Sequence, residues 1–258
     1  MAWTMNYGET YTDFNEGVGP ATSNALRALQ LDPDLALAHA AAAHVASGFD
    51  WDWARAEKEF RRALQINPDS LEACYCFAIF LNSQGRFPEA LDNLDHALKL
   101  NPLAANVEAW YGATLWFEHK SEQAIPHLLR AKELDPQSGV AYYFLGEALL
   151  EELKPEETIK LLQPFGPVAP LAEAYAQLGR RADALKVIQG IKDDPVGQAQ
   201  GYAAVGDASR ALEFIAKALD QREFRAEFIK VSPSFDSLRS DPRFQAQVAR
   251  LKIPDAPH

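Results

Sequence analysis

Four proline-ended phrases recur along the chain: RALQLDP at Pro33, RALQINP at Pro68, HALKLNP at Pro102 and RAKELDP at Pro136. Their spacings are 35, 34 and 34 residues. A period of that length is too short to enclose a core of its own. It fits one supersecondary unit that buries its apolar face against a neighbouring copy. The 258 residues are therefore expected to form an array of several such units rather than one layered core.

Each period divides into two helices. Between Pro68 and Pro102 the first is predicted over about 69–83, stopping at Gly85, where a left-handed residue closes a helix without steric cost. The second is predicted over about 88–100, and Pro88 falls in its first turn, where the missing N–H is no loss. Ala90, Leu91, Leu94, Ala97 and Leu98 make one apolar stripe at a 3.6-residue period; Glu89, Asp92, Asp95 and Lys99 take the other face. The same plan predicts helices near 34–47 and 52–66, 104–118 and 121–134, and 138–151 and 155–163. Beyond these the period shortens, with Gly179 before RRADAL and Gly206 before DASRAL marking turns 27 residues apart. No Asn-Gly hairpin signal or alternating strand pattern stands out.

This helix–turn–helix period resembles the tetratricopeptide repeat. Matching small and apolar positions are Phe77, Ala78, Leu81, Gly85, Ala90, Leu94, Ala97 and Pro102, then Tyr111, Gly112, Leu115, Ala124, Leu128, Ala131 and Pro136. The next unit keeps Leu145, Gly146 and Leu149 but has Thr158 in place of the expected alanine. Ala172, Tyr175, Gly179, Ala184 and Ile188, then Ala199, Tyr202, Gly206, Ala211, Ile215 and Ala218, continue the pattern. The resemblance covers about 22–220 and implies an all-α, right-handed superhelical solenoid of five to six antiparallel helix pairs. FDWDWARAEKEFRRAL, LGRRADAL and IKVSPSFDSLRSDPRF further resemble the C-terminal repeat regions of large bacterial signalling proteins. There the array follows a winged-helix, cyclase or kinase domain. The phosphate loop, the HRD and DFG motifs and the basic recognition helix of those domains are absent from the sequence, so the resemblance implies a sensory or interaction module.

The expected organisation is an aromatic N-terminal tail or cap (1–21), the array (22–223) and a C-terminal capping segment with a tail (224–258). Trp3, Tyr7, Tyr11 and Phe14 suit a cap over an open solenoid end, although a truncated remnant fits the same residues. A short turn and an amphipathic helix over about 242–251 are expected to close the last groove.

Charge narrows the partners. A net charge of −11 disfavours both phosphate backbones and anionic lipid. With no signal-peptide pattern and no 18-residue apolar run, a cytoplasmic protein is expected. Cys74 and Cys76 project about 200° apart on one helix and read as reduced, packed thiols. His39 and His44 lie about 140° apart and make no zinc pair, and the other histidines are isolated. The many carboxylates fall on solvated faces, and no nucleophile elbow is present. No catalytic residue, metal or cofactor is expected.

In the tetratricopeptide pattern the first helix of each pair lines the concave face. Carried onto this chain, its groove positions single out His44, Tyr75, Ile79, Asn82, Asn106, Trp116, Tyr143 and Glu147. The set retains two asparagines of the relatives' carboxylate clamp and none of its cations. An acidic C-terminal tail therefore fits poorly, and an extended or helical peptide held by stacking and apolar anchors fits better. The leading expectation is a protein or peptide partner in this groove. Two alternatives stand beside it: a scaffold self-associating through the array ends, and a groove filled by the chain's own termini.

Overall fold

The computed structural model describes residues 27–254. Among them are six helix pairs: α1 (Ala36–Val45) with α2 (Trp53–Ile66), α3 (Leu71–Ser83) with α4 (Phe87–Leu100), and α5 (Ala105–Phe117) with α6 (Ser121–Leu134). Then come α7 (Gly139–Glu151) with α8 (Pro155–Leu162), α9 (Ala169–Gln177) with α10 (Arg181–Gly190), and α11 (Pro195–Ala204) with α12 (Ala208–Asp220). Two 3₁₀ turns, Phe224–Phe228 and Pro233–Leu238, lead to α13 (Pro242–Ala249). No strand occurs among the described residues. The aromatic cap expected over 1–21 lies outside them.

The recurring Asn/Asp-Pro dipeptide explains the register. Asp32, Asn67, Asn101 and Asp135 each accept, on the side-chain Oδ1, the backbone N–H two residues on, at 3.0, 3.2, 3.1 and 2.9 Å. The following proline forbids the α region to the residue before it, so Asn67, Asn101 and Asp135 are extended and the second helix stops there. Ser70 and Ser138 then start the next helix, each accepting a backbone N–H at 3.3 Å. Within each pair the turn residue is left-handed. Gly85, Gly179 and Gly206 were legible as such, but the same role falls on His119 (φ 57°) and Leu153 (φ 56°).

Pairs close through small residues. A Cβ on Gly112 would lie 2.5 Å from Leu128 Cγ and 3.1 Å from the carbonyl of Ala124, so α5 and α6 approach to a distance that only glycine allows. Thr158, where alanine was expected, is fully buried and turns its hydroxyl to the carbonyl of Gly146 at 3.1 Å. The odd-numbered helices α1 to α11 pack on one another in series and form the inner face.

The array does not end in an open groove. Residues 224–228 pack on the π-helical turn 46–50 after α1 and on α3, while 233–238 pack on α11. The indole Nε1 of Trp53 donates to the carbonyl of Leu251 at 2.8 Å. Arg222 donates to the carbonyls of Phe49 and Asp50 and lies 5.1 Å over the Trp51 ring. The C-terminal segment therefore joins the turn of the first unit to the end of the last, and shuts the array against itself. Two apolar cores, one built mainly from α1–α7 and one from α9–α13, are bridged by Trp51 and Ile253.

Candidate functional site

The inner face is where the residue pattern placed the site, and the C-terminal segment runs across it. Phe228 sits 5.5 Å from Phe117 and 6.0 Å from Trp110, ring centre to ring centre. Phe224 faces His44 at 5.2 Å. Burial lowers the His44 pKa to about 4, so the ring is neutral at pH 7.

The other expected groove residues are mostly committed to internal contacts. Asn82 is fully buried and donates Nδ2 to Thr114 Oγ1 at 2.8 Å. Thr114 in turn donates to the carbonyl of Trp110 at 2.8 Å. Exposed Asn106 hydrogen bonds with Tyr75, whose phenol is half-buried and shifted upward by burial. The two asparagines thus face different neighbours and form no shared clamp. Ile79 is buried. Trp116 is 2% exposed and packs at 5.0 Å from Phe117 and 5.4 Å from Phe144.

Tyr143 and Glu147 belong to a small polar cluster beneath the segment. The Tyr143 hydroxyl donates to Gln200 Oε1 at 2.7 Å, and Arg225 lies 5.5 Å over the Tyr143 ring. Gln200 donates to Ser234 Oγ at 3.3 Å, and Ser234 donates to Glu147 Oε2 at 3.4 Å. Burial raises the Glu147 pKa to about 8. Burial likewise pushes Glu173 up strongly, and brings Glu223 and Glu227 to about 8. Burial favours the protonated form of these carboxyls, which lowers the cost of seating them in an apolar interior.

Between segment and inner face lies a cavity of about 60 Å³, bordered by Trp110, Trp116, Phe117 and Phe228. Its walls are mostly aromatic, with Gln200, Arg225 and Ser232 among them, and carry no nucleophile–base pair. Among the described residues no group of three or more His, Cys, Asp or Glu is placed to hold a metal ion. No helix among them is long and apolar enough to cross a membrane. Cys74 and Cys76 are free thiols whose pKa values burial raises to about 11 and about 12, so neither is a reactive thiolate.

The expected groove residues lie on the odd-numbered helices, and the C-terminal segment covers much of the face those helices form. The residues that cover and seal it, Arg222, Phe224, Phe228 and Leu251, carried one usable signal. Phe224, Phe228, Ile229, Phe235 and Leu238 are too apolar for an end cap in water.

No protein-family model matches the chain. In three dimensions it is similar to a tetratricopeptide repeat protein from Parabacteroides merdae, with a TM-score of 0.60 at 12% identity over 94% of this chain and 96% of that one. It is also similar to PilW, described as a widely conserved type IV pilus biogenesis factor, with a TM-score of 0.52 at 21% identity over 86% and 94%. These likenesses, with the helix pairs above, establish a tetratricopeptide-type solenoid fold.

Proposed function

We infer that this chain is a non-catalytic protein-interaction module that meets its partners with its outer surface, the inner face being reserved for its own C-terminal segment. The observation that carries the reading is the course of residues 224–238 across the inner helices. Stacked helix pairs present regularly spaced side chains over a large area, which suits recognition of another polypeptide.

A magnitude decides between inner and outer surface. Phe224, Phe228, Ile229, Phe235 and Leu238 are all buried in the closed form. Exposing them again costs about 10 kcal/mol, taking roughly 2 kcal/mol per side chain. That lowers the open population about 10⁷-fold. A peptide with nanomolar affinity for the bare face would be left near 10 mM, on the order of what non-specific contacts give. Self-association through the array ends is opposed in the same way, because the first unit's end is already bonded to the C-terminal segment through Trp53, Leu251 and Arg222.

The test is affinity capture with the full chain, followed by a hydrogen-exchange footprint of the captured partner. Protection is expected on outer helices, with the amides of 75–82, 106–116 and 143–147 unchanged. A footprint on those three stretches, together with loss of protection over 224–238, would overturn the reading.

A further inference from the structure

Charge is distributed unevenly in this chain. The whole molecule is acidic, at −11, yet residues 222–254 hold seven Arg and Lys against four Asp and Glu. Two of the four, Glu223 and Glu227, are buried, so the exposed side of this segment is distinctly basic. Its local charge is thus opposite in sign to that of the whole molecule.

A cleft of about 440 Å³ opens on that side. Its floor is one face of α13 and the strand of chain after it: Phe244, Val248, Ala249 and Ile253. Val248 and Ile253 are half-buried and Ala249 is exposed, so this floor is accessible to a partner. Lys230 and Lys252 stand at the rim with Arg239. Arg239 is already engaged, donating to the carbonyls of Lys230 and Ser232 and pairing with Asp236 at 2.5 Å. It thereby fixes the loop that carries Lys230. The two lysines are bonded through their backbone only, Lys230 by its carbonyl to Arg239 and Lys252 by its N–H to Ala249, and among the described residues neither ammonium makes a hydrogen bond or ion pair.

We propose that this cleft binds an acidic peptide segment that carries a bulky apolar side chain. The apolar side chain would lie on Val248, Ala249 and Ile253, and flanking carboxylates would meet Lys230 and Lys252. Each half of that match is a separate demand. An apolar floor alone would take any greasy segment, and two lysines alone would take any anion. Together they favour acidic–apolar sequences and reject basic ones. The net negative charge of the rest of the molecule disfavours such a peptide over most of its surface, and the basic stretch 160–192, which lacks this apolar floor, is the place the control variants probe. The cleft is too small, and its two rim cations too few, for a bilayer surface. The proposal rests on the outer-surface reading above and gives it a location.

Fluorescence anisotropy of the full chain tests it. The probe is a labelled, amidated dodecapeptide DEELDEFDELEE, and the control is its isostere with every acid replaced by the matching amide. Saturable binding is expected for the acidic probe, with at least tenfold weaker binding for the control. Lys252→Glu and Val248→Asp, both on accessible positions, should each weaken the probe at least tenfold, with circular dichroism unchanged. Lys160→Glu and Lys186→Glu, exposed on other helices, should leave it within twofold. The proposal fails if the probe does not saturate by 1 mM, if Lys252→Glu or Val248→Asp has no effect, or if Lys160→Glu weakens binding equally. Cleft-dependent binding of phosphatidylserine vesicles without peptide binding would also overturn it. An unbound probe beside a captured partner whose footprint lies elsewhere on the outer surface sinks this inference alone. A footprint on the buried inner face sinks the reading beneath it.

Discussion

Truncating Phe228 removes a buried side chain of the C-terminal segment that packs among the inner-face aromatics. It is 8% exposed and borders Trp110, Phe117 and Phe224 at ring separations of 6.0, 5.5 and 6.3 Å. Phe→Ala at a buried site costs about 3–5 kcal/mol, from lost transfer energy and the void left behind. Here the void adjoins the existing cavity of about 60 Å³ and enlarges it, so a loss in the upper half of that range is expected. A loss of about 4 kcal/mol corresponds to a fall in Tm of about 10 °C for a chain of this size. Because residues 224–228 tie the first unit to the last, the single unfolding transition of Phe228→Ala should also broaden as the two cores come apart. Urea unfolding followed by tryptophan fluorescence reads both effects, since Trp110 and Trp116 line the void. Benzene should restore part of the loss by entering the enlarged cavity. A loss under about 1 kcal/mol, of the size expected at an exposed position, would refute the placement of the segment.

Three further outcomes follow from local geometry. Glu227 is buried and its folded pKa of about 8 lies above its ordinary value, so the unfolded chain releases the proton first. Its share of stability is present below about pH 4.5 and lost as pH rises to about 8; Glu227→Gln should flatten the Tm profile across that window, and an unchanged profile would contradict it. Gly112→Ala would gain about 1 kcal/mol of helix propensity but meet Leu128 at 2.5 Å, so a net loss of about 1–2 kcal/mol is expected from the urea midpoint. Leu153 is 80% exposed at φ 56°, so Leu153→Gly should raise stability by about 0.5–1 kcal/mol in the same assay.

The helix pairs were legible because each boundary is written in local chemistry. The Asx-Pro turn, the serine caps and the alanine–glycine crossings all act within a few residues of where they stand. His119 and Leu153 escaped notice as turn residues because their left-handed backbone is imposed by the packing of α5 on α6 and α7 on α8, not by their own preference. The C-terminal segment packed against the odd-numbered helices was not legible. The bonds of Arg222 to Phe49 and of Trp53 to Leu251 span 173 and 198 residues. Nothing in the period of a nearest-neighbour array encodes a contact between its two ends. The buried glutamates show the same limit: Glu147 has the composition of a solvated helix position, and only the overlying Ser234 and Arg225 make it an interior one.

Whether the array is shut decides most of the foregoing. A pulsed electron-spin distance between nitroxide labels at Arg55→Cys and Arg250→Cys, in a background with Cys74→Ala and Cys76→Ala, reports it directly. Both sites are exposed and lie within two residues of the Trp53–Leu251 hydrogen bond. A narrow distribution at roughly 20 Å is expected, from a few residues of reach on either side of that bond. A distribution centred near 50 Å, the span of six pairs stacked about 10 Å apart in an open solenoid, would contradict it.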